Sequence, residues 1–145
     1  MTGQINVNKI AARTGNTITI NSGDKISGVA GSIVQPGMVI QVVSAQYTTE
    51  VGSTSSTYTD TGLTATITPK YATSKILVQI NMNGAYKTND NSGTRINTKV
   101  FRDSTELDIM TSALAYTNTS IRQSVGTASY VLLDNPSTTN AITYK

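Results

Sequence analysis

The chain has 145 residues and a net charge of +3, a size that suits one compact domain with a short appended segment. Hydrophobic residues make up 37% and charged residues only 13%, with Ser and Thr supplying roughly a quarter, which favours strands and turns over helices and lacks the high net charge of a disordered chain. There is no His and no Cys, so the commonest general base, the imidazole and thiolate metal ligands and any disulfide are all excluded.

Residues 1–37 read as an extended N-terminal arm. Ile5-Asn6-Val7-Asn8 and Thr17-Ile18-Thr19-Ile20 alternate, with the turn signal Arg13-Thr14-Gly15-Asn16 between them. Ser22-Gly23-Asp24 and Gly28-Val29-Ala30-Gly31 follow at short spacing. Strands this short cannot bury both faces alone, so the segment is expected to lie on a partner or to form one third of an intertwined shaft. Pro36-Gly37 marks the boundary.

Residues 38–145 read as a head domain. The pattern predicts strands over Val39–Tyr47, Leu63–Ile67, Lys75–Asn83, Ile96–Arg102, Thr105–Ile109, Ser129–Leu133 and Ala141–Tyr144. Lys75–Asn83 is the clearest, with Ile76, Val78, Ile80 and Met82 on one face and Gln79, Asn81 and Asn83 on the other. A polar Ser/Thr loop fills 48–61, and Asp103-Ser104 is a turn. The stretch from Met110 to Ser120 is looser, and Ile109–Leu114 could make one helical turn at most. The expected fold is all-β: an antiparallel β-sandwich or jelly roll preceded by an extended N-terminal arm.

Several blocks of the chain resemble one group of proteins. Ile5-Asn6-Val7-Asn8-Lys9-Ile10 followed by Thr14-Gly15-Asn16-Thr17-Ile18-Thr19-Ile20 resembles the start of tail-fibre-like and other virion structural proteins of tailed, notably marine, bacteriophages. Gly37-Met38-Val39-Ile40-Gln41-Val42, Thr61–Pro69, Ser74–Val78 and Tyr130–Asp134 fit the same style. The resemblance implies a trimeric β-sandwich protein on the exterior of a phage particle, attached to other virion proteins through 1–37 and able to present its head to a host-surface glycan or protein. Such proteins run on through further strands, which leaves open whether 38–145 is a whole head domain. A capsid decoration or head-fibre protein and an isolated carbohydrate-binding module are the alternatives.

The chemistry-bearing residues also fit plain structural roles. Asp103, Glu106 and Asp108 could contribute to a Ca²⁺ site, but read more simply as the charged edge of a hairpin. Asn89-Asp90-Asn91-Ser92-Gly93 resembles the opening of an EF-hand loop, yet the twelfth position is Val100, not Glu. It reads as a hairpin turn. No metal site, no cofactor and no catalytic residue are expected. Without His, a Ser nucleophile would need a buried Lys or an N-terminal amine as its base, and no spacing suggests either. The eleven Lys and Arg are scattered, so no nucleic-acid partner is expected. No signal peptide and no membrane insertion are expected, since no apolar run reaches spanning length. Exposed Tyr beside Asn and Asp suits glycan or protein recognition, and Tyr86, Asp90 and Tyr116 are the candidate binding residues.

Overall fold

A computed structural model describes residues 19–28, 37–88, 93–118, 123–124 and 127–145. The chain divides into two units, Met1–Val42 and Val43–Lys145. In the first, the described residues carry no strand. A turn closes at Asn21–Asp24, where the Asp24 amide donates to the Asn21 carbonyl at 3.1 Å. Gly23 sits there at φ +94°, in the region that a side chain disfavours. The expected strand at Ile5–Asn8 and the turns at 13–16 and 29–31 lie outside the described residues.

The second unit is all-β, and its strands pair antiparallel. They are β1 (Ala65–Ile67), β2 (Ile76–Asn83), β3 (Tyr86–Lys87), β4 (Ile96–Arg102), β5 (Thr105–Leu114), β6 (Gln123–Ser124), β7 (Thr127–Asp134) and β8 (Ile142–Tyr144). A four-stranded sheet has the order β1-β8-β4-β5. β8 thus lies in the middle of that sheet, which is why Ile142 and Tyr144 are buried. The pairing continues past β8: Phe101 and Lys145 exchange amide–carbonyl bonds of 2.8 and 3.0 Å, and the Asp103 amide donates to the Thr143 carbonyl at 2.7 Å.

β2 and β7 form a separate ladder of eight matched residue pairs, from Ile76 opposite Asp134 to Asn83 opposite Thr127. β3 and β6 pair in the same register, Tyr86 opposite Ser124. The alternation in β2 is realised as the sequence predicts. Ile76, Val78, Ile80 and Met82 are half-buried, and Leu77, Gln79, Asn81 and Asn83 are exposed. In β7, Ala128, Tyr130, Leu132 and Asp134 take the half-buried face.

Side chains tie this ribbon to the four-stranded sheet. Arg102 on β4 donates through Nη1 to both carboxylate oxygens of Asp134 on β7, at 2.8 and 2.7 Å. The Tyr144 hydroxyl on β8 donates to the same carboxylate at 2.7 Å. Tyr130 on β7 donates to the Asp108 carboxylate on β5. A part-buried ion pair that also accepts a phenol proton has its lone pairs satisfied, the condition under which such a pair holds without a net penalty.

Two expectations change. Val39–Tyr47 forms no strand, and its Val39, Val42, Val43 and Tyr47 are exposed. Its β propensity reflects fit to a sheet, and no strand pairing is assigned to it. The stretch after Ile109 is not loose: β5 continues to Leu114. Its pairing with β4 shifts register at three places, between Ile96 and Thr98, Thr98 and Lys99, and Val100 and Phe101. Each shift inserts a residue on β5. The half-buried Leu107, Met110 and Leu114 therefore fall three and four residues apart, a spacing that imitates a helix within a strand.

Candidate functional site

The three candidate binding residues are only partly brought together. Asp90 lies outside the described residues. Tyr86 opens β3, and its exposed ring sends its hydroxyl to the Glu50 carboxylate at 2.6 Å. That bond favours the protonated phenol, and it raises the Tyr86 pKa above the usual 10.0. Beside Tyr86, Lys87 is buried and its ammonium donates to the Thr117 hydroxyl at 2.7 Å. Tyr116, next to Thr117, is also exposed. Tyr86 and Tyr116 are thus each next in sequence to one member of this hydrogen-bonded pair.

The local backbone explains this meeting. The Gly93 amide donates to the Thr117 carbonyl at 2.8 Å, closing the open end of the β4–β5 hairpin. Gly93 has φ +77°, where any other residue would be strained. The Tyr116 amide donates to the Ala113 carbonyl at 3.2 Å, and Ala113 and Ala115 lie at φ +58° and +55°. The irregular end of β5 is thereby turned back, and the buried Ala115 is followed by an exposed Tyr116. Glu50, Lys87 and Thr117 belong to this arrangement and were not singled out by the sequence. Glu50 sits in a polar loop and Thr117 beyond the end of a bulged strand, so neither carries a periodic signal.

The loop 48–61 is fixed to the rest of its unit by several contacts. Glu50 holds Tyr86. The Tyr58 ring lies under the Lys99 ammonium, 4.4 Å from ring centre to Nζ, a cation–π contact. Asp60 pairs with Lys145 at 3.0 Å. Just before the loop, Tyr47 lays its ring on Gly62, where an added Cβ would meet ring atoms at 2.6 and 2.8 Å and the hydroxyl at 2.9 Å. Within the loop, the Ser55 and Thr57 amides donate to the hydroxyls two residues earlier, at 3.1 and 3.0 Å. These local bonds let a Ser/Thr-rich segment hold a shape without a ladder.

The acidic trio is dispersed over different partners. Asp103 accepts the Thr143 amide at 2.9 Å, Glu106 pairs with Lys99 at 2.7 Å, and Asp108 accepts from Tyr130. Among the described residues no three His, Cys, Asp or Glu side chains are grouped as a metal site would require. Asp103 occupies the two-residue turn between β4 and β5 at φ +53°, a conformation that Asp tolerates better than most residues. The Tyr130 bond is the largest cause holding the Asp108 carboxyl below its ordinary value. In return Asp108 pushes the Tyr130 phenol up to about 12. These are cross-strand and cross-sheet ties.

No family model, curated protein or solved structure matches the chain.

Proposed function

We propose that this chain is a structural protein of a bacteriophage particle, tail-fibre-like, whose residues 1–37 attach it to the virion and whose residues 38–145 form a β-sandwich head on the particle exterior. It works by assembly and adhesion, not by catalysis. Three copies associate, and the head is offered to a host-surface glycan or protein. The sequence resemblance in both halves of the chain supports this reading. The ties between the ribbon and the four-stranded sheet, through Asp134 and through Asp108, support the sandwich.

The observation that carries the reading is the size of the core. Among the described residues the buried hydrophobic side chains are Val100, Ala115, Ile142 and Tyr144, with Pro69 also buried. Large apolar side chains such as Val42, Leu77, Val131 and Leu133 stay more than half exposed. Isolated soluble chains rarely leave so much apolar surface uncovered, and an assembled one covers it with copies of itself or its neighbours.

The test is incorporation. Particles produced with a variant lacking residues 1–37 are expected to be free of the protein, while the variant itself keeps the strand signature of the head. Incorporation at the full level would sink the attachment role of the arm. Electron microscopy of intact particles separates the tail-fibre reading from capsid decoration, according to whether the density sits on the tail or on the capsid lattice. Exposed Tyr86 and Tyr116 favour an adhesive surface at their end of the second unit. Binding to a glycan array that is lost on replacing both with Ala checks it.

A further inference from the structure

Among the described residues, one segment has the composition of a strand and no sheet, one sheet edge has no neighbour, and the two match. Residues 38–47 have the composition of a strand but no strand pairing. Val39 and Val43 would face one way, Ile40 and Val42 the other. A strand apolar on both faces belongs in a sheet covered on both sides, yet Val39 and Val42 are 74% and 81% exposed. This segment cannot be satisfied as it stands.

The available edges differ. β1 has three residues. β5 is interrupted by three register shifts and carries Glu106 and Asp108, the features that blunt an edge against further pairing. β2 and β7 are each eight residues long, in unbroken register, and Asp134 is their one charged residue. Among the described residues neither has a second neighbour. Of the two, β7 presents more apolar surface: Val131 and Leu133 are 56% and 59% exposed, against Leu77 alone on β2 at 64%.

We propose that residues 38–47 of one copy add as a strand to the β7 edge of a second copy, covering Val131 and Leu133. The proposal rests on the assembled-virion reading and names the surfaces by which the copies join. Donor and acceptor lie on different parts of the same chain, so the contact is head-to-tail, and the trimer of the proposed reading is one closed ring that such a contact can build. The segment's Tyr47 end is seated on Gly62 of its own unit. Met38, Val39, Val42, Val43 and Tyr47 on the donor and Val131 and Leu133 on the acceptor are 42–81% exposed, and this is the apolar surface that the contact covers.

The chain has no Cys, so introduced thiols report alone. Val43→Cys and Val131→Cys copies, distinguished by tags and produced together, are treated with a short bismaleimide, and native mass is measured for the unmodified chain. The expected result is a two-chain product that contains one copy of each variant and is absent when either variant is produced alone. The wild-type chain is expected to be oligomeric. The Val131→Lys chain should fall to monomer mass with its strand signature intact. An oligomeric wild type with no mixed product, or a Val131→Lys chain that stays oligomeric, overturns the strand addition and leaves the assembled reading standing. A one-chain product in the Val43→Cys/Val131→Cys double variant, with no mixed product, overturns it in favour of pairing within the chain. A monomeric wild type overturns both.

Discussion

Tyr130 and Asp108 show how a single pair carries both a structural tie and a pH signature. The bond, from the Tyr130 hydroxyl to the Asp108 carboxyl, is strongest between an ionised carboxylate and a protonated phenol. It contributes fully between the ordinary carboxyl value of 3.8 and the ordinary phenol value of 10.0. Below 3.8 the unfolded Asp108 protonates first, and the contribution drains away until the folded carboxyl follows. Above 10.0 the unfolded Tyr130 ionises first, and the contribution is gone beyond about 12. Tyr130→Phe is therefore expected to lower Tm near pH 7, with the difference from wild type narrowing at both extremes. Melting curves across pH check this, and a difference independent of pH contradicts it. Arg102 acts at the same scale. Its guanidinium is the partner of a carboxylate whose side chain is only 10% exposed. Arg102→Met strands that charge and is expected to cost about 1.5–3 kcal/mol, measured by denaturant unfolding. A cost near zero would mean that Tyr144 alone holds Asp134.

At the scale of elements, β5 is the informative strand. Its bulges bend an edge that would otherwise invite pairing, and they force non-glycine residues into the left-handed region. Ala113 is exposed there at φ +58°, so Ala113→Gly relieves strain without opening a cavity. The expected gain is about 0.5–1 kcal/mol, read as a rise in Tm, and a loss of stability would mean that the bulge is not strained. Bulges also decided what could be read from the sequence. β2 and β4 were legible to within a residue, because one face of each is consistently more buried and period 2 survives. β7 was legible at its apolar centre and ran longer at both ends. β5 was legible only to Ile109, since inserted residues replace period 2 with spacings of three and four. β3 and β6, two residues each, are too short to leave any period. Val39–Tyr47 carries the residues of a strand, but a strand exists only where a partner does. At the candidate site the same limit holds. Tyr86 and Tyr116 were visible as exposed aromatics, while Glu50, Lys87 and Thr117 enter through contacts 30 or more residues apart.

For the whole molecule, the polar surface and the thin core have one cause. A chain with 37% hydrophobic residues that leaves Val42 and Leu77 exposed has not finished burying apolar surface when a single copy has folded. In the proposed reading assembly completes the burial, through the β7 edge and the segment 38–47, which have no strand partner there among the described residues. The proposed place on a particle follows from this together with the resemblance of the arm, not from any grouping of reactive residues. The adhesive role is a further step, tied to the end of the second unit that carries Tyr86 and Tyr116. Sedimentation of the purified chain at micromolar concentration is the most direct measurement of the central claim. The account predicts a species of three times the 15.3 kDa chain mass, and a stable 15.3 kDa monomer across that range would contradict it.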